Sequence, residues 1–294
     1  MKRGVPVLCA LLLCLLCVSC TPPRPDHPVI GAKNFTEQVV LGELLAQEIE
    51  AKSGLKVERR FYLAGSYICN QALVAGRIDA YVEYTGTALT AILKQPLDRN
   101  PERVLATVRS LYASRYDITV GEPLGFQNTF AMVIRGDDAR RLHLTTLSAA
   151  APYTPGWRLG VGYEFEQRPD GLPGLSAAYN LRFAGPPRTM DLGLLYRALT
   201  AHQVDMIAAS STDGPIQALG LVVLQDDRHY FPPYQAVPLV REDALRRWPQ
   251  IQQALQALAG KISEEDMRKM NEAVDGLHRD PSEVVREFRT TRGL

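Results

Sequence analysis

The stretch Ala72-Leu73-Val74-Ala75-Gly76-Arg77-Ile78-Asp79 returns, altered but in step, as Ala198-Leu199-Thr200-Ala201-His202-Gln203-Val204-Asp205. Each copy reads as the end of a helix, a turn, and a strand opened by an acid. The likeness extends both ways. Gly31-Ala32-Lys33-Asn34-Phe35 lies upstream of the first copy, and Val161-Gly162-Tyr163-Glu164-Phe165 lies upstream of the second. Beyond each aspartate comes a small polar turn, Tyr84-Thr85-Gly86-Thr87 in one case and Ser210-Ser211-Thr212-Asp213-Gly214 in the other. A unit this long is not a solenoid period. It predicts two similar α/β lobes that face each other across a cleft. Asp79 and Asp205 are read as structural, capping or pairing within each lobe.

Strands and helices alternate around these two copies. Val29–Ala32 is a short strand. Thr36 is expected to cap a helix running to about Ala51, with Val39, Val40, Leu44, Leu45 and Ile49 on its apolar side. Val57–Leu63 and Ile78–Val82 read as strands, Ser66 and Thr87 as helix starts, and Phe130–Arg135 as a cleanly alternating strand. The second set runs from a strand at Leu159 to a helix from about Leu175, a strand Leu181–Phe183, a helix Asp191–Ala201 and a strand Val204–Ala208. Leu221–Leu224 and Gln235–Val240 are further strands. The tail is helical, over Asp243–Leu258, over Ser263–Val274 with Ser263 as cap, and after Asp280-Pro281, with proline at the first helical position.

The N-terminus bears on compartment. Lys2 and Arg3 precede an apolar run, Val5–Val18, of signal-peptide length and too short to span a membrane comfortably. It ends in Leu16-Cys17-Val18-Ser19-Cys20, which resembles a bacterial lipobox with Cys17 in place of the usual aliphatic residue. Residues 1–19 are thus expected to be a signal peptide. Cys20 is expected to carry lipid, which would hold the protein at a membrane without a transmembrane helix. Residues 20–28, with four prolines between Thr21 and Pro28, read as anchor and tether. Cleavage leaves 31 basic and 32 acidic residues, which gives no nucleic-acid surface. Four of the five cysteines lie at or before residue 20, so no internal disulfide can form in the mature chain. Cys69 is read as a buried packing thiol.

Several motifs then carry a resemblance over nearly the whole mature chain: Ile30-Gly31-Ala32-Lys33-Asn34-Phe35-Thr36-Glu37-Gln38, Gly76 to Asp79 with Glu83 to Thr87, Leu124 to Thr129, Thr212-Asp213-Gly214, Leu224 to Asp227, and Phe231-Pro232-Pro233-Tyr234. The tail segments Ile262-Ser263 and Met267–Asn271 fit as well. Together they resemble the solute-binding component of osmoprotectant-type ABC importers, which bind glycine betaine, carnitine or choline. The resemblance implies an α/β, two-lobe, type II periplasmic-binding-protein fold with discontinuous lobes. Lobe one would be residues 29–128 plus 233–294, and lobe two residues 129–232. It implies a cation cage at Tyr84, Phe130, Ser210 and Tyr234, where Ser210 lacks the usual aromatic ring. It also implies a carboxylate clamp at Lys33, Thr87 and Arg168. Helix N-termini after Thr36 and Thr87 would add N–H donors. The implied partners are an ABC permease with a cytoplasmic ATPase, a membrane reached through the lipid, and a small zwitterionic or quaternary-ammonium solute. A different carboxylate-bearing solute, such as a larger betaine or an amino-acid derivative, is the alternative.

Other classes find less support. The histidines at 27, 143, 202, 229 and 278 show no metal-ligand spacing, and Gly160-Val161-Gly162 lacks the third glycine of a dinucleotide fingerprint. Neither an enzyme nor a cofactor is implied. A sensor domain of the same clamshell shape would need an output domain. Trp157 is read as packing, and Glu43 and Glu48 as solvated helix acids.

Overall fold

A computed structural model describes residues 25–294, so the signal-peptide and Cys20 expectations lie outside the described residues. Ten strands form two five-stranded mixed sheets. They are β1 Val29–Gly31, β2 Glu58–Arg60, β3 Ala80–Tyr84, β4 Ile118–Val120, β5 Phe130–Arg135, β6 Leu159–Val161, β7 Arg188–Thr189, β8 Met206–Ser210, β9 Leu221–Leu224 and β10 Ala236–Arg241. Sheet one has the order β2-β1-β3-β10-β4 and sheet two the order β7-β6-β8-β5-β9. In each sheet the first three strands are parallel. A fourth, antiparallel strand follows, β10 against β3 and β5 against β8. The chain passes from sheet one to sheet two between β4 and β5, and returns between β9 and β10.

Both sheets are covered on both faces, as parallel strands require. On one face of sheet one, Ile30 and Val82 pack against Val40, Leu44 and Ile49 of helix α1 (Thr36–Ser53) and against the C-terminal helices. On the other face, Val29 and Tyr81 meet Leu73 of α2 (Ser66–Val74) and Val108 of α3 (Pro101–Tyr116). Sheet two divides likewise. Met132, Ile134 and Met206 face one cluster, and Ala131, Val133 and Ile207 the other.

The repeat holds at the level of single hydrogen bonds. Asp79 Oδ2 accepts from the Val29 N–H at 2.9 Å, and Asp205 Oδ2 accepts from the Arg158 N–H at 2.9 Å. The Arg77 and Ile78 amides both reach the Ala72 carbonyl, and the Gln203 and Val204 amides both reach the Ala198 carbonyl. The turn needs a left-handed residue. Gly76 supplies it at φ +67° in one copy, and His202 at φ +55° in the other. Tyr84 ends β3 and Ser210 ends β8, so the two post-aspartate turns lie at the carboxyl ends of equivalent strands.

Four expectations are corrected. Thr36 is the first helical residue rather than the cap. The cap position is Phe35, and the Thr36 hydroxyl donates to Asp275. Leu181–Phe183 is not a strand: Leu181 packs into the core of sheet two, and the edge strand there is Arg188–Thr189. The single tail helix over Asp243–Leu258 is two, Glu242–Arg247 and Gln250–Leu258, divided at Trp248-Pro249 where proline disfavours a helical predecessor. Glu43 and Glu48 are buried rather than solvated: Arg59 of β2 covers Glu43, and Arg289 of the last helix, Pro281–Arg292, covers Glu48 at 2.8 Å. Cys69 is buried as expected, and burial pushes its thiol up to about 12.

Candidate functional site

The cleft between the sheets encloses a cavity of about 380 Å³. Lys33, Tyr84, Thr87, Phe130, Arg168, Ser210 and Tyr234 all lie on its wall. Lys33 follows β1, Tyr84 ends β3, and Thr87 lies in the helical turn Thr85–Thr87 just after it. Phe130 opens β5, and its Cα pairs in register with Ser210 at the end of β8. Tyr234 stands just before β10 and passes close over Gly86. A Cβ on Gly86 would meet the tyrosine ring at 2.7 Å and the Pro233 carbonyl at 2.8 Å, so that position admits no side chain without a shift.

Two cations dominate the wall, and each already has a carboxylate. Lys33 Nζ donates to Glu83 Oε1 at 2.5 Å, with both side chains buried. Glu83 also accepts from the Tyr81 hydroxyl at 3.0 Å and from the Tyr84 N–H at 2.7 Å. Arg168, 3 % exposed, grips Asp170 in a two-point pair, Nε to Oδ1 at 3.0 Å and Nη2 to Oδ2 at 2.6 Å. Burial works against the Arg168 charge, but the Asp170 carboxylate outweighs it and holds the guanidinium above its ordinary range. Burial likewise works against Asp170, and Arg168 reverses the balance, so that carboxyl stays below its usual range. Donors remain to spare. Of the five guanidinium N–H groups two serve Asp170 and a third faces Glu164 at 3.5 Å, and one of the three ammonium protons serves Glu83.

The aromatic rings gather around these cations. The Arg168 guanidinium lies 4.8 Å from the Phe130 centroid and 5.8 Å from that of Tyr234, and Lys33 Nζ lies 4.8 Å from that of Tyr84. Phe130 packs edge-on against Tyr234 at 5.7 Å and against Phe165 at 4.8 Å. Ser210 presents no ring. Beside it the wall holds Met190, Leu192, Ala208 and Ala209, with Asp191 among them.

Sequence reasoning missed three groups here. The first is Glu164, from the short helix Tyr163–Gln167 beside sheet two. Its carboxylate crosses the cleft to accept from the Ser66 N–H at 2.5 Å and the Ser66 hydroxyl at 3.1 Å, capping α2 beside sheet one. The second is Phe165, and the third is the N-terminal turn Ala64-Gly65-Ser66 of α2, which also lines the cavity. A signal for Glu164 existed. The repeat sets Tyr163-Glu164-Phe165 against Lys33-Asn34-Phe35, the two segments that follow β6 and β1 at equivalent strand ends.

The substrate-binding domain of the ABC-type glycine betaine transport system is the family whose model matches this chain, over residues 28–291. The carnitine transport binding protein OpuCC of Listeria monocytogenes is 34% identical over 296 residues, covering 98% of this chain and 96% of that protein. The ergothioneine transport permease/ergothioneine binding protein EgtU of Helicobacter pylori is 32% identical over 300 residues, covering 100% of this chain but 54% of that longer protein. A crystal structure of a glycine betaine/carnitine/choline ABC transporter component matches with a TM-score of 0.75 at 31% identity, covering 90% of this chain and 98% of that one.

Proposed function

Because the chain belongs to the family of substrate-binding domains of ABC-type glycine betaine transport systems, with the two-lobe type II fold, we propose that it captures a zwitterionic quaternary-ammonium solute and delivers it to an import permease. The lobes are taken as residues 29–128 with 233–294, and residues 129–232. The observation that carries the reading is the pairing of spare cationic N–H donors with aromatic faces around one cavity. Lys33 and Arg168 keep unused donors for a carboxylate, with Thr87 beside them. Tyr84, Phe130 and Tyr234 offer π-faces to a methylated ammonium, which cannot donate a hydrogen bond. A ligand that touches both lobes stabilises the closed form through those contacts. The protein works outside the cytoplasm, as binding components of importers do, and a permease with its ATPase is the implied partner.

A second reading is favoured by Ser210. A cavity of about 380 Å³, lined at one end by Met190, Asp191 and Leu192, leaves room beside the missing ring. A larger betaine would fill it. One titration separates the two readings. Calorimetry with glycine betaine, carnitine and choline should show binding. Low-micromolar affinity for glycine betaine in the native sequence would exclude the larger-solute reading, and no binding of any of the three would overturn the first reading. Ser210→Tyr should gain about 0.5–2 kcal/mol for glycine betaine by restoring one cation–π face.

The lipobox-like run supports an anchor at Cys20. Cys20→Ala should release soluble protein or leave an unprocessed precursor. Unchanged processing and membrane association would rule the anchor out.

A further inference from the structure

Glu37 is a buried carboxylate with no cation beside it. It lies in the first turn of α1 and is 1 % exposed. Four neutral donors fill its two oxygens. Oε1 accepts from the Tyr84 hydroxyl at 2.5 Å and from Asn128 Nδ2 at 2.8 Å. Oε2 accepts from the Thr212 hydroxyl at 2.5 Å and from Asn271 Nδ2 at 3.1 Å. Second bonds fix the donor directions of Tyr84 and Asn271. Gln38 Nε2 donates to the Tyr84 oxygen at 3.1 Å, so the tyrosine proton points to Glu37. Asn271 Nδ2 also donates to the Thr212 carbonyl at 2.9 Å, which can only accept. Burial raises the Glu37 carboxyl above its usual range, and the four donors, two on each oxygen, oppose that shift by favouring the ionised form. Hydrogen bonds offset part of the cost of burying a charge without a countercharge, and the field that charge exerts is a gain for any cation nearby.

That gain lies at Tyr84. A phenol that donates to an anion becomes more electron-rich, and its ring face attracts cations more strongly. The ring already attracts one, since Lys33 Nζ lies 4.8 Å from its centroid. Tyr234 gives the internal contrast. Its hydroxyl also donates to a carboxylate, Asp170, at 2.6 Å, but that charge is matched by Arg168.

We propose that Glu37 sets the cleft's preference for positive charge: it polarises Tyr84 through their hydrogen bond and supplies an unmatched negative charge behind the ring. Glu37 is a positioning and polarising residue that touches no ligand itself. The proposal rests on the reading of the cleft as a quaternary-ammonium site.

The test uses two probes of one shape, glycine betaine and 3,3-dimethylbutanoate, in which carbon replaces the ammonium nitrogen. Tyr84→Phe keeps the ring and removes the hydroxyl. It should weaken glycine betaine about five- to tenfold and leave 3,3-dimethylbutanoate within about twofold, measured by calorimetry or competition on the full chain. Glu37→Gln should repeat the selective loss, and the double variant should be no worse than either single, as expected of two residues acting as one unit. If Glu37→Gln does not fold, Tyr84→Phe alone decides. Tyr234→Phe should disturb the ratio of the two probes less. Equal losses for both probes, or an unchanged ratio in Tyr84→Phe, would overturn the proposal while leaving the function intact. A native protein that binds no quaternary ammonium would overturn both.

Discussion

Arg168 has two commitments, and separating them is the main question at the scale of single residues. Its Nε edge is tied to Asp170, and its Nη1 faces Glu164 at 3.5 Å. In the proposed reading the remaining donors serve a ligand carboxylate. Arg168→Ala should therefore cost about 2–5 kcal/mol of binding and, separately, stability, because Asp170 is left buried with hydroxyl partners but no cation. Adding Asp170→Asn to Arg168→Ala should recover stability but not affinity, as calorimetry beside thermal melting would show. Normal binding by Arg168→Ala would remove it from the clamp. The positions of Lys33, Tyr84, Arg168 and Tyr234 on one wall were legible from motifs. Their partners Glu83, Asp170 and Glu37 were not, because a sequence displays charges without showing which neighbour neutralises each. Glu43 and Glu48 illustrate the same limit. They look solvated on a helix taken alone, and become buried only when Arg59 and Arg289 arrive from 16 and 241 residues away.

At the scale of elements, legibility followed the strength of local pattern. Phe130–Arg135 and Leu221–Leu224 alternate, or run apolar, between clear breaks, and both strands have the expected ends. The last two helices announce themselves through caps. Ser263 forms a full capping box with Asp266, and the Asp280 side chain accepts from Ser282 and Glu283. Helix α3 carried the same kind of signal, Asn100 as cap and Pro101 at its first position, and went unread. β4 and β7 are three and two residues long, too short for periodicity to register. Their place is fixed by neighbours, β10 for the one and β6 for the other. The repeat succeeded where single elements failed because it compares one region with another. A helix end, a left-handed turn and a capping aspartate agree together, so the Arg77 and Gln203 turns confirm each other.

At the scale of the whole molecule, the bond from Glu164 to Ser66 spans the cleft, alongside those from Thr212 to Glu37 and from Tyr234 to Asp170. It couples a charged acceptor to a helix N-terminus. Glu164→Ala should speed ligand dissociation about tenfold with little change in association, since the lost bond holds the lobes closed rather than guiding entry. Stopped-flow measurement of both rates would check this, and an unchanged dissociation rate would show that closure does not depend on Glu164. A separate consequence follows from the position of β10. It lies between β3 and β4, and among the described residues no other strand joins them. Sheet two is made wholly of residues 130–224, whereas sheet one waits for residues 236–241. As the chain emerges amino end first, the middle of the sequence can be finished while the beginning still exposes an unpaired strand edge. Such an edge invites pairing with other chains. The newborn protein is therefore most vulnerable to aggregation in the interval between completing its second half-fold and receiving the strand that seals its first.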